Sequence, residues 1–235
     1  MGRIVPKRLV RKLDLEIVLS RIEPHPSPKA LLEQYTIASD VAAELLYIAS
    51  YTFDDITDKT VADLGCGTGR LAIGAALLGA EEVVGVDIDR VATKKALENA
   101  EELGVKERTQ WITADISVLR GKFDTVLQNP PFGVQRRKAD RKFLEKALRI
   151  GERVYSLHKS GKETRRPIKQ TRKRPFSVPS TSPPPVLQRL IDRNGGQIKA
   201  LYTMQTTIPH MFRFHRKRKH QFSVDLYVIE KKKRD

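Results

Sequence analysis

A single cysteine, Cys66, stands in 235 residues, so no internal disulfide can form, which agrees with a reducing compartment. No run approaches the ~18 apolar residues of a membrane span. The N-terminal MGRIVPKRLVRKLDL scatters charges through its apolar positions, so it lacks a secretory h-region as well. A soluble, cytoplasmic protein is the expectation. Aromatic residues make up only 6%, yet 40% hydrophobic residues suffice for a buried core and are too many for a disordered chain. The length suits one large domain or two small ones. Acid is in short supply: 28 Asp+Glu against 44 Lys+Arg leave a net charge of +16. Such an excess attracts polyanions, commonly RNA or DNA, although an acidic membrane surface would also serve, and charge can merely keep a protein soluble. Its placement favours a binding surface, because the basic residues fall in four separated blocks, Arg3 to Lys12, Lys159 to Arg174, Arg213 to Lys219 and Lys231 to Arg234.

Residues 1–58 read as a helical front piece, with apolar residues at helical spacing in LDLEIVLSRIE and in DVAAELLYIASY from Asp40 to Tyr51. From residue 59 the pattern changes. Short β-branched runs (TVADL, EEVVGVDID, TQWITAD, FDTVLQN) alternate with helical stretches at Arg70 to Leu78 and Val91 to Leu103, the mark of βαβ units around a parallel sheet. A helix from Arg141 to Ile150, a strand from Val154 to Leu157 and a helix near Val186 to Asn194 follow. Two closing runs, Ile198 to Thr206 and Phe222 to Ile229, read as an antiparallel hairpin. The stretch 159–185 is dense in Lys, Arg, Ser and Pro with no hydrophobic period, a mobile or extended insertion within the 59–235 core. One domain overall is expected.

Chemistry concentrates where strands end. Asp63-Leu64-Gly65-Cys66-Gly67-Thr68-Gly69 falls between a strand and a helix, where three glycines let the backbone turn sharply and approach a ligand. The GxGxG spacing differs from the dinucleotide fingerprint, and the leading carboxylate would repel a pyrophosphate, so a cofactor carrying an amino acid and a nucleoside fits better. Asp87 ends the next strand, where a carboxylate can accept both hydroxyls of a ribose. Asp115 ends the third, where it could accept from an exocyclic adenine amine; Asp89 or Asp115 could equally cap a helix. The fourth strand runs into Asn129-Pro130-Pro131-Phe132-Gly133. Its two prolines fix φ and hold the Asn129 side chain and the Pro130 carbonyl rigid, two acceptors that could orient a planar NH₂ towards a methyl donor. Phe132 could stack on a flipped-out base or sit in the core. All four strand ends open onto the carboxyl edge of the sheet.

In this order the motifs DLGCGTG, VDID, TAD and NPPFG resemble the α/β, Rossmann-like class I S-adenosylmethionine-dependent methyltransferases, specifically the amino-methyltransferases with an Asn-Pro-Pro-aromatic motif. Leu32-Glu33-Gln34-Tyr35, Val154-Tyr155-Ser156-Leu157-His158-Lys159 and Phe214-His215-Arg216-Lys217 are similar to the methyltransferase-like protein five family. The resemblance runs from about residue 10 to the end without the basic insertion. It implies a mostly parallel seven-stranded sheet with helices on both faces and an antiparallel C-terminal hairpin. It also implies N6 methylation of an adenosine in small-subunit ribosomal RNA and, in eukaryotic members, a small zinc-binding activator subunit. Carried over, Gly65, Gly67 and Thr68 contact the methionine part of S-adenosylmethionine, Asp87 its ribose, Asp115 with Ile116 its adenine, and Gln34 closes over it. Asn129 to Phe132 hold the target adenine. One departure is visible: the family places Thr three residues after the Gln, where this chain has Ile37, with Thr36 one position earlier.

His158, His210 and His215 have no Cys or carboxylate at metal spacing, so no metal is assigned, and His158 reads as a structural hydrogen-bonder. Phe212, Phe214 and the run Arg213 to His220 could grip RNA or form an ordinary exposed loop. Trp111, on an expected edge strand, could meet an activator subunit or belong to the core. The expected activity is RNA adenine-N6 methylation. Guanine N2, a protein glutamine amide and a non-catalytic RNA-binding or assembly role remain alternatives.

Overall fold

Three βαβ units and a long closing hairpin assemble into one sheet in the computed structural model, which describes residues 11–29, 32–34, 36–132, 139–160, 177–179, 183–209 and 219–232. The strands are β1 (Thr60–Leu64), β2 (Glu82–Asp87), β3 (Thr109–Thr113), β4 (Phe123–Gln128), β5 (Gly151–Lys159), β6 (Ser177–Pro179), β7 (Gly196–Pro209) and β8 (Lys219–Lys231). Their order is β3-β2-β1-β4-β5-β8-β7-β6. β1 to β5 run parallel, and β8, β7 and β6 add antiparallel. The chain leaves β1 towards β2 and β3, then crosses back to place β4 on the other side of β1. That reversal opens a crevice at the carboxyl ends of β1 and β4, the place where such sheets bind ligands.

The helices are α1 (Lys12–Ser20), α2 (Ser39–Tyr47), α3 (Arg70–Leu77), α4 (Arg90–Glu102), α5 (Ala139–Ile150) and α6 (Pro185–Arg193). Alternation along β8 shows how the sheet divides two cores: Val224, Leu226 and Val228 face α1, α2 and α3, while Tyr227 and Ile229 face α5 and α6. The front piece shares the first of these cores. Leu15, Leu19, Leu45, Leu46 and Ile56 are fully buried in it together with Ile73 of α3, each such side chain contributing about 1.5–3 kcal/mol by leaving water. A π-helical turn, Ile48–Thr52, extends α2 towards Asp55. There the Asp55 carboxylate meets the Tyr155 hydroxyl at 2.5 Å and Arg153 Nε at 2.9 Å, tying the front piece to β5.

The seven strands and both helical layers match expectation, with one addition. Ser177–Pro179, inside the stretch read as irregular, pairs with β7 as an eighth, edge strand. Such a strand is made by backbone bonds to a neighbour, so it needs no hydrophobic period of its own, and Pro179 is tolerated at an edge. Residues 161–176 of that insertion lie outside the described residues.

Candidate active site

The glycine turn is built around three positive φ angles, +70° at Gly65, +54° at Gly67 and +90° at Gly69. The Gly65 and Cys66 amides donate to the Val86 carbonyl at 2.8 and 3.1 Å, which fastens the turn to β2. At Gly67 a Cβ would meet nothing within 4 Å, so the backbone there borders open cleft. At Gly69 a Cβ would fall 2.6 Å from the Trp111 ring, and at Gly85 only 2.5 Å from it. The Trp111 indole therefore lies over these two glycines on the core side of β3, although β3 is the sheet edge. On the far wall, Phe143 of α5 approaches Gly65 so closely that a Cβ there would be 2.9 Å from its ring.

Asp63, 1% exposed, accepts the Ala72 amide in the first turn of α3 at 3.1 Å. Burial, with the neighbouring Asp87 charge, pushes its carboxyl up to about 7. Asp87 accepts the Gly67 amide through Oδ2 and the Asp89 amide through Oδ1, both at 2.9 Å. Burial raises its pKa against the pull of those two bonds. Asp89 caps α4 through the Val91 amide at 2.9 Å. Asp115 also caps, accepting the Ser117 amide at 2.8 Å, and with Ile116 it lies at the cleft wall. Asp115 thus caps the short Ile116–Val118 turn and lines the cleft as well. Its carboxyl is lowered by the Ser117 bonds and further by Lys142 and Lys146.

Asn129 follows β4 directly and lines the cleft with Pro131, while Pro130 between them is buried. Phe132 is half-buried against the front-piece core. Beneath Asn129 a buried polar file runs from Gln128 Nε2 to Ser156 Oγ at 2.8 Å, then from Ser156 Oγ to His158 Nε2 at 2.8 Å. The His158 ring meets Tyr227 edge-on at 5.2 Å between centroids. Burial holds the imidazole neutral with its pKa lowered to about 4. His158 is the structural hydrogen-bonder that its sequence context suggested.

From the front piece, Gln34 donates to Asp89 Oδ2 at 2.9 Å and accepts the Lys29 amide at 2.7 Å. Lys29 Nζ joins the same carboxylate at 3.1 Å, and His25 Nε2 lies 3.4 Å from it. Burial of Asp89 opposes its ionisation, but the bonds from Gln34, Val91 and Lys29 outweigh this and hold its carboxyl at about 2. Asn99 of α4 stitches the Thr68 carbonyl at 3.0 Å to the Glu23 carbonyl at 3.2 Å. Arg70, first residue of α3, donates to the carbonyls of Ile37 and Ile22. Both Thr36 and Ile37 line the cleft.

These elements enclose a cleft of about 730 Å³. Gln34, Asp63, Gly65, Gly67, Thr68, Asp87, Asp115, Ile116, Asn129 and Pro131 line it, whereas Gly69, Pro130 and Phe132 are not among its lining residues. His25, Arg70, Lys142, Phe143 and Lys146 also line it and were not singled out from the sequence. For Arg70 a signal existed, because a cation in the first turn runs against the helix dipole. His25 and the α5 residues carry no local sign, since they reach the cleft only through packing. Gly133, Tyr35, His210, Phe212, Phe214 and His215 lie outside the described residues, as do most of the first three basic blocks and half of the fourth. Among the described residues no helix is long and apolar enough to cross a membrane.

A family profile described as ribosomal protein L11 methyltransferase (PrmA) matches residues 46–130. The chain is 42% identical over 153 residues to the rRNA N(6)-adenosine-methyltransferase METTL5 of Danio rerio, covering 63% of this chain and 73% of that one. To the rRNA N(6)-adenosine-methyltransferase Mettl5 of Drosophila melanogaster it is 32% identical over 223 residues, covering 92% and 94%. Among solved structures, PH1948 from Pyrococcus horikoshii, titled as a candidate RNA methyltransferase, superposes with a TM-score of 0.80 at 37% identity, covering 96% of this chain and 100% of that one.

Proposed function

This chain belongs to the METTL5 family of rRNA N(6)-adenosine-methyltransferases, and on that premise we propose that it transfers a methyl group from S-adenosylmethionine to N6 of an adenosine in RNA. The observation that carries the reading is the convergence of Gly67, Asp87, Asp115 and Asn129 on one cleft at the β1/β4 crevice. The residues present fit the cofactor. Thr68 Oγ1 is buried without a hydrogen-bond partner among the described residues, and the missing side chain of Gly67 leaves the cleft open. A volume of about 730 Å³ lies within the roughly 300–1,000 Å³ of small-molecule sites.

S-adenosylmethionine supplies an electrophilic methyl group on a sulfonium. Each Asp87 oxygen holds one backbone amide and retains a lone pair for a ribose hydroxyl. Asp115 and Ile116, both at the cleft wall, would hold the adenine end, the Asp115 carboxylate accepting from its amine and the Ile116 side chain covering its face. Gly65, Gly67 and Thr68 would hold the methionine end, with Asp63 and Gly69 keeping the turn in shape and Gln34 closing the front. Asn129 Oδ1 and the Pro130 carbonyl accept the two hydrogens of the target amine, turning its nitrogen lone pair towards the methyl group and favouring the positive charge that develops. An aromatic amine is barely basic, so attack needs no prior deprotonation, and the proton leaves to water afterwards. Pro131 stiffens this turn, and the exposed part of Phe132 offers a ring to the base.

The finer reading is a cytoplasmic enzyme acting on small-subunit ribosomal RNA, attracted by its +16 charge. A small zinc-binding activator subunit would pair along the outer edge of β3. The test is incubation of the purified chain, with and without such an activator, with isotopically labelled S-adenosylmethionine and small-subunit RNA from cells lacking the enzyme. Nucleoside mass spectrometry should find the label in N6-methyladenosine. Label in N2-methylguanosine would change the acceptor, and no label in RNA would redirect the search to a protein glutamine or a non-catalytic role.

A further inference from the structure

Arg70 carries a charge that the described protein leaves unanswered. Its guanidinium is half-buried at the cleft wall beside Thr68 and Leu71. Two of its five donors meet the carbonyls of Ile37 and Ile22, the latter at 3.0 Å, and Nε is buried with no partner among the described residues. No described carboxylate lies within 4 Å of it. Desolvation without a compensating anion brings its pKa down to about 10. A cation at this position also faces the positive end of α3. Both penalties would be relieved by a small anion in the cleft. Thr68 Oγ1, on a residue 4% exposed, is a second donor without a partner at the same wall.

We propose that Arg70 recognises the carboxylate at the methionine end of S-adenosylmethionine, with the Thr68 hydroxyl as an auxiliary donor. This rests on the reading of the cleft as the cofactor site. That carboxylate is the cofactor's one anionic group, and Gly67 and Thr68 border the end that carries it. The carbonyls of Ile22 and Ile37 hold the guanidinium plane from the front piece, so it meets the carboxylate already oriented and loses little side-chain freedom on binding. Since Ile22 and Ile37 flank the Gln34 segment, filling the site would also brace the front piece against α3.

The test is titration calorimetry with S-adenosylmethionine and with decarboxylated S-adenosylmethionine, which lacks only the carboxylate, on the full chain as wild type, Arg70→Gln and Arg70→Lys. Wild type should prefer the complete cofactor by about 10- to 100-fold, the range of a charge-assisted contact. Arg70→Gln should lose most of that preference by weakening the complete cofactor alone, and Arg70→Lys should keep part of it. Equal affinity of wild type for the two ligands overturns the proposal, as does Arg70→Gln weakening both by the same factor, which would leave Arg70 a brace for the front piece. If thermal melts show Arg70→Gln unfolded, wild type and Arg70→Lys decide alone: a preference reduced but retained in a folded Arg70→Lys supports recognition by the Arg70 cation, whereas one unchanged there, or absent in wild type, refutes it. Wild type binding neither ligand would instead overturn the cofactor reading itself.

Discussion

Asp87 holds Gly67: the carboxylate at the end of β2 accepts the amide of the central glycine in the turn after β1 at 2.9 Å. The acid expected to face a ribose also fixes the loop expected to face a methionine. Asp87→Asn turns an NH₂ towards one of two backbone amides, so a buried donor goes unsatisfied at a cost of about 1–3 kcal/mol. Thermal melts should show that loss, and calorimetry should show cofactor affinity falling at least about tenfold, the equivalent of 1.4 kcal/mol. An Asp87→Asn protein of normal stability and affinity would refute this double role.

Alanine at two neighbouring glycines should separate binding from folding. Gly67→Ala adds a methyl group facing open cleft, at a backbone cost of about 1–2 kcal/mol for the left-handed conformation, and should chiefly obstruct the cofactor. Gly69→Ala drives a Cβ to within 2.6 Å of Trp111 at φ +90°. Overpacking adds about 1–3 kcal/mol to that strain, so this variant should lower the melting temperature more. The reverse ranking in melts would contradict the placement of Trp111 over the turn.

Asn129→Ala should reduce turnover by at least about 100-fold, the scale of losing one preorganised contact to the reacting group, while cofactor affinity stays within about threefold of wild type. Single-turnover kinetics and calorimetry on the same preparation separate the two quantities. Loss of both would remove the positioning role.

Two buried groups should tilt stability with pH in opposite directions. Asp63 is raised from 3.8 to about 7, chiefly by burial, so between those values the folded state binds more protons than the unfolded one and stability falls as pH rises. His158 is lowered from 6.5 to about 4 by burial, so the unfolded state binds more protons and stability falls as pH drops through that window. Urea titrations at pH 4.5, 5.5 and 6.5 should therefore find Asp63→Asn steeper than wild type in its gain with pH, and His158→Gln flatter. The opposite ordering would show that neither group is buried as described.

Strand ends were legible because their chemistry is local: a glycine turn, an acid after a β-branched run and an Asn-Pro-Pro corner keep their meaning whatever packs around them. Edges and partners were not. Ser177–Pro179 has no period of its own and becomes a strand only because β7 offers an edge. Trp111 read equally well as a docking residue or as core, and only the absent side chains of Gly69 and Gly85 decide for the core side. His25 and Lys29 gain importance from Asp89, more than 55 residues away in sequence in both cases, through contacts that no spacing rule reports.

By itself the sequence determined the α/β class, the order of the strands along the chain, the positive charge and which strand ends carry chemistry, since each follows from residue type and short-range periodicity. Tertiary structure decided which of those residues share a cleft, that Asp63 and His158 lose contact with water, and that Arg70 lies against two carbonyls of the front piece with no carboxylate beside it among the described residues. The reason is physical: burial and long-range pairing depend on how the sheet crosses back between β1 and β4 and on what the front piece covers, and neither is encoded within any one segment.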